Sequence, residues 1–186
     1  MSLLSEPMFG VFARGLLAAV FASAAVSKIG RAEEFHGVVR NFRIGPEAAA
    51  KPVALVLPWA ELAVALALLA PWTVVSGAWG SAVLLVLFAA AMALNLRRGR
   101  RAIDCGCFRA GLRQTLSWGL VARNLGLTAL AVWLALAAPA MAAPGIFDLL
   151  FGAAAAGLAF LIYVGAALLG GLSASRASAP THGAGR

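Results

Sequence analysis

Five apolar stretches, at about residues 8–28, 52–72, 76–96, 116–138 and 147–171, take up most of the chain. Each is long enough to cross a hydrocarbon layer roughly 30 Å thick. Inside such a layer every backbone N–H and C=O needs an internal partner, which leaves helices or closed barrels as the available forms. The stretches are runs of Ala, Leu and Val without the alternation of barrel strands, so helices are expected. With 12% charged residues, the chain stands far from soluble domains, in which roughly 25% are charged. The expected fold class is therefore an all-α integral membrane protein, a four-helix transmembrane bundle with a fifth transmembrane helix packed outside it. Residues 1–172 are expected to form a single transmembrane domain. Residues 173–186, rich in Ser, Ala, Gly and Pro, read as a disordered tail. No room remains for a soluble catalytic domain. The formal charge of +8 is spread between apolar spans and points to topology rather than to nucleic acid.

The first span resembles a signal peptide only at Ala22-Ser23-Ala24; it has no Lys or Arg before it and Arg14 interrupts it, so it reads as a retained helix. Basic residues cluster after the first span, counted with its flanks (Lys28, Arg31, Arg40, Arg43, Lys51), after the third (Arg97, Arg98, Arg100, Arg101, Arg109, Arg113) and in the tail. Short cytoplasmic loops collect such residues, which predicts a multi-pass protein with its N-terminus outside and its C-terminus in the cytoplasm. Between Gly30 and Ala50 an amphipathic segment carrying Phe35, Val38, Val39 and Phe42 is expected to lie on the membrane surface. The run Ile44-Gly45-Pro46 should end it.

The only two cysteines stand one residue apart in Asp104-Cys105-Gly106-Cys107-Phe108, within the basic loop after the third span. Inert thiols are the plain alternative, but clustering in a charged loop argues against it. Residues i and i+2 can meet the Cα separation a disulfide needs, roughly 4.4–6.8 Å, in an extended or turn conformation. Gly106 supplies backbone freedom for so small a ring, and a strained disulfide is a labile one. Arg101 and Arg109 favour a thiolate nearby and Asp104 opposes it. Two thiolates also suit a soft ion such as Cu(I), whereas a closed zinc site lacks ligands, since His36 and His182 are the only histidines.

Ionisable residues within spans form a second signal, because each costs at least about 2.5–3.5 kcal/mol at the bilayer centre. Arg14, Glu61 and Arg123 qualify, with Asn95 and Asn124 as polar companions. By position along their helices, Glu61 is expected near mid-membrane and within reach of either arginine. An interhelical ion pair that fixes register is one reading, and a polar relay linking the thiols to the opposite face is the other. Pro58, one turn before Glu61, removes a backbone donor there. Ala19, Ser23 and Ser27 offer a small face for close helix packing.

The strings Asn95-Leu96-Arg97-Arg98-Gly99-Arg100, Asp104-Cys105-Gly106-Cys107-Phe108, Leu116-Ser117-Trp118 and Val121-Ala122-Arg123-Asn124 resemble the methylamine utilisation protein MauE family, related to DoxX-like membrane proteins. Phe21 to Lys28 and Pro58-x-x-Glu61-Leu62 extend the resemblance, which covers about residues 8–135. It implies a maturation helper in the bacterial inner (plasma) membrane. The partners it implies are a thioredoxin-like MauD-type protein and the disulfide-rich small subunit of methylamine dehydrogenase, a periplasmic enzyme. Carried over, the family motif falls on Asp104, Cys105, Gly106, Cys107 and Phe108.

Topology and redox compartment pull apart, since disulfides form outside the cytosol while the basic residues put the cysteines inside. A cytoplasmic dithiol that passes reducing equivalents outward resolves this. No second cysteine pair exists to receive them, which leaves a mobile or buried motif, a quinone-like carrier, or the reverse orientation. Three functions are carried forward: a thiol–disulfide oxidoreductase component, a non-catalytic scaffold for the partner, and a thiolate-dependent transporter of metal or small solute.

Overall fold

The computed structural model describes residues 6–100 and 116–177, with side chains as far as Leu169. Among the described residues there are helices and no strand. Five helices are long and apolar enough to cross a membrane, as the hydropathy pattern demands: α1 Pro7–Ile29, α3 Glu47–Leu69, α4 Val74–Arg97, α5 Trp118–Ala137 with the turn Ala138–Ala140, and α6 Ile146–Ala177. A sixth, α2 Ala32–Phe42, is short and amphipathic.

Helices α1, α3, α4 and α5 form a ring in which each packs on the next and α5 returns to α1. Its core is filled by Leu17 and Phe21 of α1, Leu68 of α3, Leu85 of α4 and Leu134 of α5, with alanines between them. Helix α6 lies outside this ring against α1 and keeps most of its apolar surface uncovered, as a lipid-facing helix does. This is the expected bundle of four with a fifth outside.

Because lipid tails are as apolar as leucine, helix association within a membrane rests on close packing and small residues. Gly77 of α4 sits so near α3 that a Cβ there would lie 2.8 Å from the Leu68 nitrogen and 2.9 Å from the Ala67 carbonyl carbon. The α3–α4 connection is correspondingly tight, and the Thr73 hydroxyl donates to the Ala67 carbonyl at 2.8 Å. Gly152 plays the same part between α6 and α1, where a Cβ would meet Val11 and the Met8 carbonyl at 2.8 Å. Ser23 and Ser27 donate their hydroxyls back to the Val20 and Ala24 carbonyls of α1, which satisfies them without a partner helix.

Two boundaries differ from the sequence expectation. Helix α3 starts at Glu47, five residues early, and runs through Lys51 and Pro52. Helix α6 continues to Ala177, into the stretch expected to be tail, while residues 178–186 lie outside those described. Helix α2 docks on α3 with Phe35 buried. Its end is held by α4: Asn95 Nδ2 donates to the Phe42 carbonyl at 3.0 Å, and the Arg98 guanidinium to the Arg43 carbonyl at 3.0 Å. Arg43 closes α2 in the left-handed region, φ 46°, and Pro46 sets the start of α3.

Candidate functional site

The most unusual chemistry among the described residues is a buried ion pair inside the helix ring. The Lys28 ammonium, near the end of α1, donates to both oxygens of Glu61 on α3, at 2.6 Å and 2.7 Å. Lys28 is 5% exposed and Glu61 is completely enclosed. Two aromatic rings complete the cation's surroundings, with Phe35 of α2 at 5.4 Å and Phe88 of α4 at 6.0 Å from Nζ to centroid. A bidentate contact of this kind is what allows two charges to share a dry interior, where an unpaired one costs several kcal/mol. One turn before Glu61, buried Pro58 has no N–H for the carbonyl of Ala54, so the backbone of α3 is also weakened here.

The pairing differs from the sequence expectation, in which Glu61 reached Arg14 or Arg123 and Lys28 belonged to a basic loop. The reason is geometric. Helix α1 stops at Ile29 and α2 continues from Ala32 toward the Asn95 end of α4, so Lys28 lies within the bundle. The early start of α3 moves Glu61 fourteen residues into its helix, level with Lys28. Arg14 lies fourteen residues before Lys28, about 21 Å along α1 at ~1.5 Å per residue, and forms no ion pair among the described residues.

Arg123 does share a space with Glu61. A small cavity of about 30 Å³ is lined by Glu61, Arg123, Asn124, Ser23 and Tyr163, together with apolar side chains of α1 and α4. The Arg123 guanidinium carbon stands 4.7 Å from the centre of the Tyr163 ring of α6, within cation–π range. Its Nε is buried with no hydrogen-bond partner among the described residues. A volume of that size holds one or two waters, and polar groups line it. Asn124 is 4% exposed at the same place. Asn95 has a structural task instead, donating to the Phe42 and Ala91 carbonyls while its oxygen accepts from Arg100 at 3.3 Å.

The cysteine motif, Asp104, Cys105, Gly106, Cys107 and Phe108, lies outside the described residues. Its two points of attachment do not. On one side the Arg100 amide donates to the Asn95 carbonyl at 3.0 Å. On the other, Leu116 is buried against Met92, Leu96 and Leu120, and Ser117 caps α5 by accepting from the Leu120 amide. Both ends of the segment are thus tied to the same end of α4 and α5, the end where α2 docks. No group of three or more His, Cys, Asp or Glu able to hold a metal occurs among the described residues.

The family model described as methylamine utilisation protein MauE matches residues 6–137, which covers the whole helix ring, the ion pair, Arg123 and the cysteine motif. This chain belongs to the MauE family. Relatives share nearly its full length. The methylamine utilization protein MauE of Methylorubrum extorquens is 52% identical over 98% of this chain and 99% of its own. That of Paracoccus denitrificans is 49% identical over 96% of each chain, and that of Methylophilus methylotrophus 36% identical over 94% of this chain and 93% of its own. No solved structure matches. Of the polar residues now placed, Glu61, Arg123 and Asn124 were expected, whereas Lys28 and Tyr163 were not singled out as site residues. The signal for Lys28 was its position closing the small, apolar string Phe21 to Ser27; Tyr163, the only tyrosine, carried no signal beyond that.

Proposed function

We propose that this membrane protein is the bilayer-embedded component of a thiol–disulfide maturation system used in methylamine metabolism. In this reading Cys105 and Cys107 exchange with a disulfide of a thioredoxin-like, MauD-type partner that acts on the small subunit of methylamine dehydrogenase. What carries the reading is the Cys-Gly-Cys pair, the chain's only cysteines, within the segment matched by the family model. The shared name of the full-length relatives supports the pathway. The anchoring of Arg100 and Leu116 supports the site, because the two described residues that flank the motif are held at the same end of α4 and α5.

The exchange is balanced within the two proteins. A thiolate of the pair attacks one sulfur of the partner's disulfide, forms a mixed disulfide and expels the partner's other thiolate. The second cysteine then attacks the mixed bond, leaving a Cys105–Cys107 disulfide here and a dithiol on the partner, with two electrons and two protons moved. The reverse sequence oxidises the partner. Removing the second cysteine halts the reaction at the mixed disulfide. Chains with Cys105→Ser or Cys107→Ser are therefore expected to accumulate a reductant-sensitive adduct with the thioredoxin-like protein on non-reducing gels, absent from the double substitution. Both single variants present in the membrane with no adduct would remove the redox reading in favour of a scaffold.

For orientation, the basic residues support an inner-membrane protein with its N-terminus outside and its C-terminus in the cytoplasm, so in this reading the exchange with the thioredoxin-like partner takes place on the cytoplasmic side, before the small subunit is exported. An impermeant maleimide given to intact cells after mild reduction should leave Cys105 and Cys107 unmodified, and should modify them once the membrane is opened. Modification from outside reverses the orientation.

A further inference from the structure

A second space in the molecule is far larger than the cavity at Glu61. Helices α3 and α4 are in their closest contact beside their connection, at Gly77 and at Gly80, where a Cβ would lie 3.0 Å from Val64. Toward the opposite end a groove of about 940 Å³ opens between α2, the first half of α3 and the second half of α4. That volume is near the top of the ~300–1,000 Å³ range of small-molecule sites. Its walls are apolar, built from Val38 and Val39 of α2, Val53 and Leu57 of α3, and Leu87 and Phe88 of α4. Lys28 stands at its inner end but is already neutralised by Glu61.

The mouth is different. Arg40 and Arg43 line it, and Arg97 and Arg98 sit beside it at the end of α4, with Arg98 bonded to the Arg43 carbonyl. The one carboxylate lining it, Glu47, lies 3.4 Å from Arg40. Arg43, Arg97 and Arg98 have no carboxylate partner among the described residues. We infer that the groove binds an anionic phospholipid, with an acyl chain between α2, α3 and α4 and its phosphate at the arginine mouth.

The alternatives fit less well. A peptide in the groove would leave its backbone donors and acceptors without partners against apolar walls. An isoprenoid quinone fills the apolar length but brings no charge to uncompensated arginines. A phospholipid phosphate meets them, and each cation near a lipid headgroup contributes about a five-fold gain in affinity.

The test uses the full chain, purified in a mild detergent and titrated with dioleoyl phosphatidylglycerol or dioleoyl phosphatidylethanolamine, with bound lipid counted by native mass spectrometry. Tighter binding of phosphatidylglycerol is expected. Arg43→Asn keeps a residue at home in the left-handed region and should weaken phosphatidylglycerol roughly five-fold and phosphatidylethanolamine less, because that lipid's own ammonium offsets its phosphate. Leu87→Trp, which fills the groove, should weaken both lipids, and circular dichroism of each variant confirms that it is folded. Equal binding of the two lipids, a preference undiminished by Arg43→Asn, or retention of an isoprenoid quinone in place of phospholipid would overturn the assignment.

Discussion

Replacing Cys105 and Cys107 together with serine is expected to lower mature methylamine dehydrogenase small subunit to the level of a strain lacking this protein, with the variant still present in the membrane. Serine is nearly isosteric with cysteine but is not oxidised to a disulfide, so the change removes thiol chemistry and little else. Among the described residues the ring is packed by apolar side chains, Glu61 pairs with Lys28, and Leu116 anchors the start of α5, so the variant is expected to accumulate normally. Immunoblots of membranes and of the exported subunit, from one culture grown with methylamine, measure both quantities. Full maturation with the double variant would mean that the protein works by holding its partner, and the redox proposal would fail. Equal loss of protein and of maturation would signal misfolding, and Cys105→Ala/Cys107→Ala then decides whether a smaller replacement restores the fold.

The other large effect belongs to Lys28 and Glu61. Substituting Lys28→Met strips a buried carboxylate of the ammonium that both its oxygens accept from. Breaking a buried pair from one side typically costs about 3–5 kcal/mol, a shift on the order of 10 °C in the melting midpoint of a chain this size. Glu61→Leu leaves the ammonium in the same position and should cost as much. Substituting both residues with apolar ones of similar volume removes the two charges together, so Lys28→Met/Glu61→Leu should recover most of the loss. Thermal unfolding of the detergent-solubilised protein, followed by circular dichroism, measures all three. Single substitutions that melt with the wild type would show that the pair contributes nothing to holding α1 against α3. Maturation by the stable double variant separates a register lock, which would remain active, from a proton-linked role, which would not.

Much of the architecture was legible because one physical demand dominates it. A bilayer requires about twenty apolar residues in a helix, and Ala-, Leu- and Val-rich runs state that demand directly. Small residues such as Gly77 and Gly152 were less readable, since spacing alone does not say which helix comes close. The polar interior was half legible. Glu61, Arg123 and Asn124 stand out because a charge or amide in an apolar run is costly, and the structure brings all three to one cavity. Lys28 escaped notice because it sits where the apolar run ends and was counted with the loop. Only the break at Gly30 and the inward course of α2 place it inside the ring. Arg14, equally conspicuous in sequence, stays apart from the others because helical rise alone separates it from Lys28.

The separation of Lys28 and Glu61 by thirty-three positions in the chain also bears on how the protein is made. When the first span leaves the ribosome, Lys28 does not yet have the Glu61 carboxylate, since α2 and the first half of α3 have still to follow it out. Near the end of α1 a lone lysine can extend its ammonium to the interface, so the first helix does not need Glu61 in order to enter lipid. Burial of Lys28 is then expected to be a late event, tied to the packing of α3 on α1 and not to insertion of the first span.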